Sequence, residues 1–179
     1  MFKKKTLIVI DMQYDFIYGP LGTDEAIAIV PKVKQKIEEY RERGDEIIFT
    51  KDTHYNDYFK THEGKRLPVK HCMINSYGWE IIPELKPSKD IDIVVHKHTF
   101  GSNWWYEYLL RRSLARVDEI ELIGVCTDIC VVSNALILRS LLTYTDIIVD
   151  ASCCAGTTPE KHKAALEVMK SCHIDIINE

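Results

Sequence analysis

The chain has 179 residues, 46% of them hydrophobic, and a formal net charge of -4 with acids and bases interspersed. That size and apolar content suit one globular domain over residues 1–179 with a full core, and the interspersed charge argues against a nucleic-acid face, which needs clustered Lys and Arg. No apolar run approaches the roughly 20 residues that cross a bilayer, and Met1 to Lys5 leads only into the short run Leu7 to Ile10, so neither a membrane span nor a secretory leader is expected. A soluble cytoplasmic protein is the expectation, in which the six cysteines are reduced thiols rather than a disulfide framework.

The predicted elements alternate along the chain. A β-branched run at residues 6–10 opens as a strand. Helical spacing of Ile29, Val33, Ile37 and Tyr40 predicts a helix over 28–43, with Pro31 near its start and Gly44 as a stop. Strand follows at 46–50, then an irregular stretch at 51–87 rich in His, Tyr, Pro and Gly. A strand at 91–95 and a helix at 104–112 come next. Strand 119–123, helix 130–142, strand 146–149, helix 159–170 and a last strand at 175–177 complete the order. Strands apolar on both faces that alternate with helices predict an α/β fold, a three-layer doubly wound sandwich with a six-stranded parallel sheet.

In such a sheet ligands bind at the carboxyl ends of the strands. The residues there are Asp11 after the first strand, Asp52 and His54 after the second, Lys97 and His98 after the third, and Cys130 in the turn after the fourth. The segment from Leu122 to Val132 runs from buried strand through a polar turn into an apolar helix, with Cys130 at its start. Helix N-terminal N–H groups favour thiolate over thiol, so a free cysteine pKa of about 8.5 falls in such a site. The ordinary alternative is a small buried hydrophobe. An acid, a cation and a thiol at three strand ends form the nucleophile-plus-base arrangement of covalent catalysis.

Two constellations result. In the first, Asp11 serves as base to the Cys130 thiol and later returns the proton to a leaving amine, while Lys97 favours the thiolate. Taken singly, a turn cap for Asp11 and a solvated chain for Lys97 are the common outcomes. In the second, Asp52 and His54, two apart in an extended segment, face one side, with His62 or Glu63 and then His71 downstream. One carboxylate, two imidazoles and a further donor suit zinc, iron or manganese; the alternative is a His-rich surface loop.

These residues resemble the isochorismatase-like cysteine hydrolases, and among them the nicotinamidases, also called pyrazinamidases. The resemblance covers nearly the full chain. It is carried by Val9-Ile10-Asp11-Met12-Gln13-Tyr14-Asp15-Phe16, Thr50-Lys51-Asp52-Thr53-His54, Lys97, and Gly124-Val125-Cys126-Thr127-Asp128-Ile129-Cys130-Val131. It implies that Cys130 is the nucleophile, Asp11 the general base and Lys97 the third catalytic residue. It also implies a cis peptide between Val125 and Cys126, and an oxyanion hole from the N–H groups of Cys126 and Cys130. The implied divalent metal, zinc with iron or manganese as the other fitting ions, is held by Asp52, His54 and His71. Relatives carry a further histidine or glutamate after the first pair; Glu63 sits at a similar spacing, with His62 the alternative.

The segment Leu67-Pro68-Val69-Lys70-His71 departs from the family pattern, which has an aromatic residue before the proline and the histidine one position sooner. Phe16 matches a pocket position, Leu67 stands where the aromatic wall would be, and Trp104, or else Trp105 or Tyr77, is expected to supply another ring.

The activity implied is metal-dependent hydrolysis of nicotinamide to nicotinate and ammonia, a step of NAD salvage, through a thioester on Cys130. The alternatives are a related cysteine hydrolase for another small amide, ureide or carbamoyl compound, and a non-catalytic metal- or ligand-binding domain. The partner expected is the small amide itself, with a homo-oligomer allowed by the resemblance. A dehydrogenase is disfavoured, because Asp11-Met12-Gln13-Tyr14 replaces the glycine-rich phosphate loop.

Overall fold

The computed structural model describes residues 5–111 and 117–179. The strands are β1 (Lys5–Ile10), β2 (Glu46–Asp52), β3 (Ile93–Lys97), β4 (Glu119–Val125), β5 (Asp146–Ala155) and β6 (Asp175–Ile177). All pairings are parallel, in the order β3-β2-β1-β4-β5-β6. The helices are α1 (Tyr14–Ile17), α2 (Asp24–Arg43), α3 (His62–Arg66), α4 (Trp104–Arg111), α5 (Val132–Leu141) and α6 (Pro159–Ser171).

Strand period two divides β1 between two cores. Leu7 and Val9 pack with Phe16, Ile29, Val33 and Ile37 of α1 and α2, while Ile8 and Ile10 pack with Trp105, Ala135, Leu138 and Leu166 of α4, α5 and α6. Both sheet faces are thus covered, which is why the strands are apolar on both sides. Among the described residues no helix is long and apolar enough to cross a membrane.

Strand order reverses direction between β1 and β4, which opens a crevice at their carboxyl ends. There β4 comes close to β1: Gly124 pairs with Ile10 at a φ of +116°, and a Cβ on it would stand 2.1 Å from the Ile10 carbonyl oxygen. Only glycine fits that approach.

Several element bounds differ from the sequence expectation. The α2 helix starts four residues early, at Asp24, because Thr23 accepts the Ala26 N–H at 3.0 Å and Asp24 and Glu25 sit favourably in the first turn. Pro31 is therefore inside the helix rather than near its start. β3 lies two residues later than predicted, so Lys97 is its last residue, in register with Asp52, the last of β2. The 51–87 stretch contains α3, capped by Thr61, whose hydroxyl accepts the Gly64 N–H at 2.9 Å. The helix predicted over 104–112 is α4; Arg112 lies outside the described residues.

Candidate active site

Lys97 is the hub of the crevice. Its Nζ lies 2.7 Å from Asp11 Oδ2, 3.1 Å from Asp52 Oδ1 and 3.5 Å from Cys130 Sγ, and it also donates to the Thr99 carbonyl at 3.3 Å. Asp11, Asp52, Lys97 and Cys130 are all buried. Asp11 turns out of β1 at a φ of +50°, and its Oδ1 accepts the Thr50 hydroxyl at 2.6 Å. Burial works against the Lys97 charge, but Asp11, Cys130 and Asp52 outweigh it and hold its pKa well above the ammonium range. Burial raises the Asp11 carboxyl, with Lys97 opposing. A raised carboxylate is the better proton acceptor.

Cys130 departs from expectation in one respect. It sits inside a π-helical turn, Thr127–Val131, ahead of α5, rather than opening a regular helix. Burial pushes its thiol well up, and Lys97 only partly offsets this against Asp11 and Asp52. That direction is opposite to the depression a helix end would give, and it leaves removal of the proton to a neighbouring base. The Val125–Cys126 peptide is cis.

Beside this group four donors converge. The potential ligand atoms of Asp52, His54, Glu63 and His71 lie within 4.8 Å of one another. His54 Nε2 is 2.9 Å from Asp52 Oδ2, 3.2 Å from His71 Nε2 and 3.4 Å from Glu63 Oε1. His71 Nε2 is 3.6 Å from Asp52 Oδ2 and 3.3 Å from Glu63 Oε1. Ligands at about 2.0–2.1 Å around a tetrahedral ion stand about 3.3–3.4 Å apart, and these five edges scatter about that value. Two carboxylates and two imidazoles fit a divalent ion in charge and donor type. His71 Nδ1 lies 2.9 Å from the Val69 carbonyl, which leaves Nε2 for a ligand role. Burial lowers both imidazoles, yet Asp52 and Glu63 raise each to about 9.

Glu63 reaches this group because α3 turns it inward. His62, one residue earlier, is exposed, with its Nδ1 3.2 Å from Arg66 Nη1.

The crevice opens into a cavity of about 590 Å³ lined by Phe16, Leu67, Phe100, Cys126, Ile129 and Cys130 among others. Phe16 stands edge-on to His71 at 5.5 Å. Trp104 is not in the lining; it stacks on Tyr108 at 4.9 Å, as its helical spacing from that residue dictates. Trp105 is buried on Asn134, donating to Oδ1 at 2.7 Å, and Tyr77 is exposed against Tyr14. Phe100, unforeseen from the sequence, is the ring on that side. His98 also lines the cavity, with its Nδ1 3.1 Å from the Thr53 carbonyl. Gln13, which the sequence presents only inside the Val9 to Phe16 motif, is fully buried and bonded to the backbone of Asp52; its place two residues after Asp11 is the available signal.

A doubly wound sheet with a buried thiol, carboxylate and lysine at its switch point, beside a metal-ligand cluster, defines a cysteine hydrolase-type site. The chain belongs to the isochorismatase family, matching the Isochorismatase domain over residues 5–178. Within that family it is nicotinamidase-like, an amidohydrolase by that likeness. It is 27% identical to the nicotinamidase/pyrazinamidase of Mycobacterium tuberculosis, over 97% of this chain and 98% of that one. The pyrazinamidase of Pyrococcus horikoshii, solved in complex with zinc, superposes with a TM-score of 0.84 at 26% identity, covering 98% and 99% of the two chains. The N-carbamoylsarcosine amidase of Thermoplasma acidophilum superposes at 0.79 with 29% identity, covering 97% and 95%.

Proposed function

We propose that this chain hydrolyses nicotinamide to nicotinate and ammonia through a thioester on Cys130. The observation that carries the reading is Lys97, whose single ammonium joins the thiol, the Asp11 carboxylate and, through Asp52, the metal-ligand cluster. Asp11 takes the thiol proton as Sγ attacks the amide carbon. The N–H groups of Cys126 and Cys130 receive the developing oxyanion. Asp11 then gives the proton to the amide nitrogen, the C–N bond breaks, and ammonia leaves. A water gives one proton to Asp11 and attacks the thioester; the C–S bond breaks, Asp11 passes that proton to the leaving sulfur, and the acid product ionises to the carboxylate by releasing its proton to solvent.

Asp52, His54, Glu63 and His71 would hold a divalent ion, zinc or else iron or manganese, which supplies a Lewis-acidic anchor for a ring nitrogen. Phe16 and Leu67 bound the ring pocket. The reaction belongs to NAD salvage in the cytoplasm, where thiols stay reduced.

The test is ammonia release from nicotinamide by the purified protein, after chelation and after metal add-back, beside Cys130→Ala. Turnover lost with the chelator, regained with metal and absent in the variant supports the reading; normal turnover by a folded Cys130→Ala protein sinks it.

A second reading keeps the chemistry and changes the substrate to another small amide, ureide or carbamoyl compound. Leu67 in place of an aromatic wall favours it, as does the likeness to an N-carbamoylsarcosine amidase. A panel of amides separates the two. A binding domain without activity is the outcome if no panel member turns over and Cys130 alkylates no faster than the other five cysteines.

A further inference from the structure

We propose that His162 is a positioning residue for the thiol-bearing turn, holding it from α6 through the hydroxyl of Thr127. This rests on the reading of Cys130 as nucleophile and of the Cys126 and Cys130 N–H groups as oxyanion donors.

Thr127 follows Cys126 directly and is fully buried, with its Oγ1 2.8 Å from His162 Nδ1. The next residue is tied to the same region of the fold. Asp128 Oδ1 accepts the Thr157 N–H at 2.7 Å, and its Oδ2 accepts the Thr157 hydroxyl at 2.6 Å. Two consecutive side chains of the turn are therefore anchored to the start of α6 and to the segment that leads into it.

That segment is built for close approach. A Cβ on Gly156 would stand 2.9 Å from Asp128 Oδ1 and 2.9 Å from His162 Cβ, so a larger residue would push the anchor away from the turn. His162 itself is rigidly presented in the first turn of α6, where its N–H donates to the Thr158 carbonyl at 2.9 Å and Thr158 caps the helix through the Lys161 N–H. Burial draws the imidazole below its usual value, in keeping with a neutral ring whose Nδ1 accepts the Thr127 hydroxyl.

The consequence lies in the transition state. The turn's own bonds, from the Ile129 and Val131 N–H groups to the Cys126 carbonyl at 3.1 Å each, set its curl. They do not tie it to the rest of the fold; the Thr127 and Asp128 anchors do so at its leading end, as Asn134 does at Cys130, whose carbonyl accepts from Asn134 Nδ2 at 2.7 Å. Donors aimed at an oxyanion act only when charge develops there, so a loosened turn costs kcat and leaves KM nearly unchanged.

The experiment uses the full-length, zinc-loaded protein and the variants H162A, T127V, their double, and H162N, whose side-chain oxygen can take the place of Nδ1. Expected are kcat losses of about 10- to 100-fold on nicotinamide for H162A and T127V, with KM within about twofold. The double should cost no more than the larger single, and H162N should recover most of the rate. Amide hydrogen exchange over residues 126–131 should speed up in H162A and T127V and return to wild type in H162N. Unchanged exchange in H162A and T127V, or kcat losses that add in the double, overturns the proposal. If the wild type releases no ammonia from nicotinamide, the substrate reading falls and exchange alone judges His162.

Discussion

The side-chain amide of Gln13 bonds both backbone groups of Asp52: its Nε2 donates to the Asp52 carbonyl at 2.8 Å, and its Oε1 accepts the Asp52 N–H at 2.6 Å. Nε2 also donates to the Trp79 carbonyl at 2.9 Å. A residue two positions beyond Asp11 thus fixes the backbone of a metal-ligand candidate on the neighbouring strand. Gln13→Glu replaces the donor by an acceptor facing two carbonyls. Zinc affinity measured by chelator competition should fall about 10- to 100-fold, the usual cost of disturbing a ligand's support. Wild-type affinity in that variant would refute the coupling.

Lys97 separates two buried carboxylates, so its loss has two consequences. Lys97→Met should abolish turnover and destabilise the fold by about 3–5 kcal/mol, since Asp11 and Asp52 then face each other uncompensated. Cys130→Ala removes no charge and should leave stability within about 1–2 kcal/mol while removing turnover. Urea denaturation beside the ammonia assay distinguishes the two; equal stability losses would argue against Lys97 as the charge hub.

Metal removal should act on stability as well as on rate. An ion that binds the native state alone contributes about 2.7 kcal/mol at a hundredfold excess over its dissociation constant. Chelated protein should melt earlier and recover on addition of zinc. Glu63→Gln should weaken zinc binding at least tenfold, whereas His62→Ala should leave zinc affinity within about twofold, because His62 is exposed, lies outside the four-residue group and has its Nδ1 3.2 Å from Arg66 Nη1.

A second polar cluster joins α2 to β4 and β5. Lys36 Nζ lies 2.8 Å from Glu121 Oε1 and 2.9 Å from Asp150 Oδ2. Burial raises Asp150, but Lys36, Ser152 and Asn178 outweigh it and hold the carboxyl below its usual value. A depressed carboxylate contributes stability that is present above its unfolded value of about 3.9 and is lost as pH falls through the folded value. Lys36→Met should cost about 3–5 kcal/mol at pH 7, and the deficit should shrink below about pH 4 as Asp150 is protonated. Denaturation curves from pH 7 to pH 3 check this; a deficit that stays constant would count against it.

Local patterns in the chain were enough for the order and direction of the strands, the α/β class and the polar residues at the strand ends, because apolar periodicity and strand-end position are local properties. They also place Asp11, Lys97 and Cys130 at three strand ends of one sheet. The start of α2 lies ahead of the expected one because the Thr23 cap outweighs the signal of Pro31. The α3 helix is not legible in the sequence because five residues carry too little periodicity.

Burial and pairing between distant segments belong to tertiary structure alone. The Cys130 thiol is raised rather than lowered because the fold encloses it with Asp11 and Asp52, a desolvation that no helix-end argument contains. Glu63 rather than His62 turns toward His54 and His71 because α3 packs that way, and Phe100 rather than Trp104 lines the cavity because Trp104 stacks on Tyr108 within its own helix. The sequence by itself determined which chemical groups stand at the ends of the sheet. The tertiary structure decided which of them meet, since side chains up to 119 positions apart, Asp11 and Cys130, share one buried ammonium only once the strands are paired.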